Sequence, residues 1–156
     1  MSCDVAMAAY LLFASAGAHP ASLPATPVEI SVAREPLFAD IIHRAGRLKS
    51  RVETYRAAGS IKASPHAVAL PAYDRFQADV GDLAQLDMQG HLQLAQRGVD
   101  GDLKCILKGI SQDLGVKLHD LGQAATGAAQ DQALRDMAYL LNDNVEVITA
   151  PPAPEV

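Results

Sequence analysis

The strongest constraint on the fold is a run of apolar residues between Pro36 and Gly59. Six apolar side chains recur there at alternating intervals of three and four residues, which places them on one face of an α-helix. Proline suits the first turn of a helix because its missing N–H has no partner there, and glycine commonly ends a helix. The pattern therefore predicts a helix over residues 36–58 with this buried stripe: Phe38, Ile41, Ala45, Leu48, Val52 and Tyr55.

A second helix is predicted to begin at Pro71 and to run to Gly98. Glycine destabilises the interior of a helix, and Gly81 and Gly90 fall in the middle of this one. We expect a kink or a change of buried face near residues 88–90, because the apolar repeat slips there.

Two more helices are indicated towards the carboxyl end. Asp102 is a good N-cap residue for the third, predicted over residues 103–125, since its carboxylate can accept from free N–H groups of the first turn. The fourth begins near Ala129 and ends either at Asn142 or beyond it, through Ile148.

These patterns predict an all-α fold. Only 4% of the residues are aromatic, and the periodic segments are rich in Ala, Leu and Gln, which favours helices over sheets. Helices joined by short turns pack as antiparallel neighbours, so we expect an up-and-down bundle of about four helices over residues 34–148. Residues 1–33 are expected to be signal-like or disordered, and the Pro-rich residues 149–156 a disordered tail. The first helix, behind a longer connection, is expected to pack either separately or against another copy.

The amino-terminal residues leave the location of the protein open. Residues 7–18 are apolar and end in small residues, which resembles a secretory signal, yet no Lys or Arg precedes them. The segment is either a cleaved signal or a disordered extension, and the protein is accordingly periplasmic or cytoplasmic. It is too short for a stable helix across a bilayer.

The net charge of −5 argues against a dedicated nucleic-acid binder. Basic residues are nevertheless concentrated in residues 34–62, with seven Lys or Arg against three acids. Arg44, Arg47 and Arg51 form a stripe beside the apolar face of the first helix. This stripe either binds an acidic partner, including the acidic remainder of a second copy, or is a solvated helix face.

The pattern gives little sign of catalysis or of a metal centre. Asp87 and His91 are four residues apart on a helix, but no third ligand is evident, so an ordinary surface hydrogen bond is the simpler interpretation. Of the two cysteines, Cys105 is expected to be a free thiol. We expect no enzyme activity, no cofactor and no metal.

The third helix has a second stripe opposite its apolar one, made of small and mildly polar residues and flanked by Lys104 and Lys108. Glycine within a helix costs up to ~1 kcal/mol relative to alanine, and it is often kept where another backbone comes close. The stripe is therefore either a docking face for a partner or a seam packed against the first helix. We call it the outer stripe: Cys105, Gly109, Gln112, Val116, His119 and Gln123.

Residues 105–115, CILKGISQDLG, resemble the motif around the phosphorylated histidine of histidine phosphotransfer domains. The Leu, Lys, Gly, small residue, Leu and Gly of that motif correspond to Leu107, Lys108, Gly109, Ser111, Leu114 and Gly115. Cys105 occupies the position of the histidine, so the resemblance implies an adaptor that binds a receiver-type partner without relaying phosphate.

The sequence thus favours a non-enzymatic helical interaction or regulatory module that associates with itself as a homodimer. The alternatives are the phosphotransfer-like adaptor and an exported bacterial periplasmic bundle. The residues expected to contact a partner are Arg44, Arg47, Arg51, Cys105, Lys108, Gly109, Gln112 and Val116.

Overall fold

The computed structural model describes residues 32–98 and 101–150, apart from the side chain of Ser60. These residues form α-helices and a short 3-10 turn, Val32–Arg34, with no strand among them. The helices are α1 (Pro36–Ala57), α2 (Ser60–Ala63), α3 (Tyr73–Gln96), α4 (Asp102–Gln123) and α5 (Gly127–Thr149). The signal-like residues 7–18 and the PPAPEV tail lie outside the described residues.

The four long helices form an up-and-down bundle, as predicted. Each packs against two others in the cyclic order α1, α3, α4, α5, so that α1 lies diagonally across from α4. Two contacts fix the antiparallel direction of α1 and α5: Lys49 Nζ lies 2.8 Å from Asn142 Oδ1, and Arg56 Nε lies 3.1 Å from Asp131 Oδ1.

The predicted boundaries of α1 are confirmed to within one residue. Gly59 follows it with a φ of +68°, a left-handed conformation that glycine adopts without strain. The expectation that this helix packs separately or against another copy is wrong. All six residues of its apolar stripe are buried inside the bundle, against α3 and α5.

The expected change of face in α3 is also wrong. The buried stripe of α3 continues through the suspected break, because the buried positions include Asp87 and Gly90 as well as the apolar residues. A polar residue and a glycine interrupt the hydrophobic repeat in the sequence without interrupting the helix. The buried residues of α3 are Phe76, Val80, Leu83, Asp87, Gly90 and Leu94.

The ends of the last two helices refine the prediction. Asp102 is the first residue of α4 rather than its N-cap, and the residue in the cap position, Gly101, makes no side-chain cap. Helix α5 takes the longer of the two expected courses and runs to Thr149. It begins earlier than predicted, capped by Thr126, whose hydroxyl accepts from the N–H of Ala129 at 3.2 Å.

The connection between α1 and α3 is tied to the start of α5. The side-chain amide of Gln130 bonds the backbone of Val68 in both directions, at 2.9 and 2.8 Å. At the other end of the connection, the Tyr55 hydroxyl donates to the carbonyl of Pro71 at 2.7 Å. These bonds hold the longest connection in the described part of the bundle against the helices that it joins.

No helix among the described residues has the length and apolar character needed to cross a membrane.

Candidate interaction surfaces

The arginine stripe of α1 forms one wall of a groove between α1 and α3. We call it the arginine groove, and its lining is Arg44, Arg47, Leu48, Arg51, Arg75 and Asp79. The structure brings the three predicted arginines together and adds two residues of α3 that sequence reasoning missed. The spacing of the arginines on α1 was visible in the sequence, but the identity of α3 as the opposite wall of the groove was not.

The groove carries more positive charge than its carboxylate neutralises. Asp79 accepts from Arg51 at 3.2 Å and lies 4.0 Å from Arg75. Arg44 pairs with Asp40 on its own helix at 2.9 Å, while Arg47 is exposed and makes no ion pair within residues 32–98 and 101–150. The four arginines and one aspartate of the lining give a net charge of +3.

A second groove runs between α4 and α5, on the opposite side of the bundle. Its apolar lining comes from Ile106 and Ile110 on α4 and from Leu140 and Val147 on α5. We call it the acidic groove, because the remaining lining residues are Gly109 and three acids: Asp113, Asp143 and Glu146.

The acids of this groove are available to a partner. Asp113, Asp143 and Glu146 are exposed, and none of them makes an ion pair with a described residue. Glu146 accepts one hydrogen bond, from the Asn142 amide at 2.7 Å. With three acids and no base in the lining, the net charge is −3. Of this lining, only Gly109 was a candidate from the sequence, because the two walls of the groove are far apart along the chain, on α4 and α5.

The outer stripe of α4 lies on the surface. Helix α4 packs against α3 and α5, so the interpretation that this stripe packs against the first helix is wrong. Cys105 and Gly109 are half-buried, and the rest of the stripe is exposed, with Val116 at 52%. Lys108 is also half-buried.

Gly109 belongs to both the outer stripe and the acidic groove. Beyond its own turn of helix, no atom of the described residues lies within 4 Å of a Cβ atom added to Gly109. No packing contact among these residues therefore requires a glycine at this position.

Cys105 is not the free thiol expected from the sequence. Its sulfur takes part in a disulfide bond, which removes the reactive thiol that a nucleophilic or redox role would need. Cys105 remains a half-buried member of the outer stripe.

The residues that resemble the phosphotransfer motif divide between core and surface. Leu107 and Leu114 are buried, Ser111 donates to the carbonyl of Ala84 on α3 at 2.7 Å, and Gly115 is exposed. The leucines and the serine therefore serve the packing of α4 on α3. Binding of a receiver-type partner by this helix stays a hypothesis.

Asp87 and His91 do not form a shared site. The His91 ring nitrogen Nδ1 lies 2.6 Å from the Lys104 carbonyl, whereas Asp87 is buried in the centre of the bundle. There Asp87 Oδ2 accepts from the Asn144 amide at 2.8 Å. The surface hydrogen bond expected between Asp87 and His91 is wrong for this reason.

The Asp87–Asn144 pair joins diagonally opposed helices through the core. Burial raises the pKa of Asp87 to about 7, against the smaller lowering effect of the Asn144 hydrogen bond. The second oxygen of each side chain, Oδ1 in both residues, is buried without a hydrogen-bond partner. A proton on Asp87 supplies the donor that this pair of acceptors lacks, which agrees with the raised pKa.

No protein-family model, curated protein or solved structure matches this chain. The two grooves and the outer stripe are therefore interpreted from their own geometry and charge.

Proposed function

We propose that this chain is a non-enzymatic helical interaction module that associates with a second copy of itself through the arginine groove. The observation that carries the proposal is the excess of positive charge in that groove, with Arg47 exposed and unpaired among the described residues. The rest of the chain is acidic, so a second copy offers the opposite charge.

The chemistry of the groove supports binding to carboxylates rather than to a small uncharged ligand. All four cations are arginines, whose planar guanidinium groups bind carboxylates with two parallel hydrogen bonds. The apolar face of α1 supports the same conclusion indirectly. That face is buried inside the bundle. The surface that α1 presents to a partner is therefore charged rather than hydrophobic.

Sedimentation analysis of the full chain over a range of protein and salt concentrations tests the proposal. We expect the average mass to exceed 16.5 kDa, to rise with protein concentration and to fall with added salt. Salt should act strongly, because the screening length shortens from ~10 Å at 0.1 M to ~3 Å at 1 M.

The matched variants are Arg47→Glu, which reverses a charge in the groove, and Lys62→Glu, which makes the same change on the exposed surface of α2. The first is expected to lower the average mass and the second to leave it unchanged. A parental chain that stays at 16.5 kDa up to millimolar concentration at low salt would overturn the proposal.

A further inference from the structure

We propose that the arginine groove of one copy docks in the acidic groove of the next, so that copies assemble head to tail. This inference rests on the proposed self-association and names the surface that receives it. It replaces a symmetric dimer with a chain or ring, in which every copy uses two different faces.

The linings of the two grooves have opposite net charges. The arginine groove carries four Arg and one Asp, a net +3, and the acidic groove carries two Asp and one Glu, a net −3. Against itself, either groove would place like charges together, which disfavours a symmetric contact. Against each other, the two grooves bring opposite net charges together.

The acidic groove has an apolar floor that remains partly exposed. Ile106, Leu140 and Val147 are only partly buried by the bundle, and Tyr139, on the adjoining surface of α5, is 66% exposed. Arginine buries the aliphatic part of its side chain on apolar surface while its charged end reaches a carboxylate. A floor of this kind with a rim of acids suits arginine side chains, and Gly109 leaves it room to admit them.

The positions of the two grooves on the bundle also allow copies to pair repeatedly. The two grooves lie between different pairs of helices on opposite sides of the bundle. They also share a level along the bundle axis, since Lys49, between Arg47 and Arg51, bonds Asn142, the neighbour of Asp143. A second copy displaced sideways, across the bundle axis, can therefore place its arginine groove opposite the acidic groove of the first. A third copy can be added by the same displacement.

The segments of the chain outside the described residues are poor candidates for the acidic groove. Residues 1–31 contain no Lys or Arg and two acids, Asp4 and Glu29. Residues 151–156 contain one acid and no base. Neither segment supplies the positive charge that the groove calls for, whereas a second copy does.

A mixing experiment with two full-length variants tests the head-to-tail arrangement. Arg47→Glu disables the arginine groove, and Gly109→Trp fills the acidic groove from a position where an added Cβ meets no atom of the described residues within 4 Å. Each variant alone is expected to lose self-association by at least roughly tenfold in Kd, the effect of 1.4 kcal/mol at an interface. An equimolar mixture retains one intact pairing and should form a dimer of about twice 16.5 kDa that grows no further.

The matched control for the acidic groove is Gly115→Trp, which adds the same side chain to α4 at another open position, outside both grooves. It is expected to assemble like the parental chain. Circular dichroism verifies that each variant keeps its helices. Asp143→Lys tests the same groove without filling its floor, and it should weaken the assembly as Gly109→Trp does.

The outcomes separate this inference from the proposed function. If the parental chain associates but both acidic-groove variants associate equally well, self-association stands and the head-to-tail pairing is wrong. A mixture that stays monomeric, when each groove is intact in one partner, also overturns the pairing. A parental chain that never associates removes both proposals.

Discussion

The interior of the bundle near Gly90 and the outer face of α4 near Gly109 present the same kind of residue in opposite settings. Both glycines lie within long helices. A Cβ on Gly90 would lie 3.1 Å from Leu107 and 3.3 Å from Phe38, whereas one on Gly109 would meet no atom of another described segment within 4 Å. Gly90 allows α1 and α4 to approach α3, and Gly109 opens a surface.

Polar residues show the same contrast between the two regions. In the interior, Asp87 is fully buried and bonded only to Asn144, while on the outer face Gln112 and His119 are exposed to solvent. Burying a polar group without all of its hydrogen-bond partners costs free energy, whereas leaving it exposed to solvent does not. The interior is therefore specified by close packing and one polar pair, whereas the outer face around Gly109 has no packing contact from the described residues to constrain it. Adding a side chain at the two glycines should therefore have opposite effects on stability.

The largest expected effect is the pH dependence that Asp87 gives to stability. The pKa of Asp87 is raised from 3.8 to about 7 in the folded state, so folding favours the protonated form. Its contribution is fully present below the unfolded pKa of 3.8 and is lost as pH rises through 7. At 1.36 kcal/mol per pKa unit, the whole effect is on the order of 4 kcal/mol.

Denaturant unfolding at pH 5 and pH 8 measures the part of this effect that falls above pH 5, with Asp87→Asn as the neutral counterpart. The parental chain should be less stable at pH 8, and the variant should lose most of that difference. Arg97 lowers the pKa of Glu35, and Arg56 with Arg135 lowers the pKa of Asp131. These two acids therefore change stability in the opposite direction, and they do so below pH 5. If the free energy of unfolding changed equally for parent and variant between pH 5 and pH 8, Asp87 would not be the source of the pH dependence.

The second effect, at Gly90, concerns packing. Gly90→Val should destabilise the fold by about 1–3 kcal/mol, because the added atoms press on Leu107 and Phe38 in a filled core. Thermal or urea unfolding of the two chains at high salt, where self-association is suppressed, gives the difference. A variant as stable as the parent would show that α1, α3 and α4 do not approach as closely as described.

The smallest effect is a gain of stability on the outer face. Gly109→Ala should stabilise the isolated bundle by up to ~1 kcal/mol, since alanine favours the helix and its methyl group meets nothing. The measurement is the same urea unfolding at high salt, with Gly90→Val run beside it. A loss of stability at Gly109 would remove the distinction between the two regions.

Much of the fold follows from the sequence because helix periodicity is local. The spacing of Phe38 to Tyr55 defines α1 almost to the residue, and the apolar repeat of α4 places Leu107, Ile110 and Leu114 in the core. The repeat also separates the outer stripe from the buried one. It could not tell whether that stripe meets another helix, because periodicity describes one helix at a time.

The acidic groove shows where sequence reasoning stops. Gly109 was a candidate contact residue from α4 alone, but Asp143 and Glu146 were not, since nothing in the sequence pairs α4 with α5 at that point. The prediction of a surface position for Asp87 was wrong for a related reason. A carboxylate in a helical repeat is normally a sign of surface, and only the position of Asn144 on a diagonally opposed helix makes its burial possible.

The sequence by itself determined the helices, their short connections and the all-α bundle, because these depend on hydrogen bonds and side-chain spacing within a few residues. Only the tertiary structure decided which helices are neighbours. That choice gathers arginines in one groove and acids in another, and it places Gly90 in contact with two helices and Gly109 with none. Neighbour relations depend on the summed packing of all four helices, a quantity that no single stretch of the chain contains.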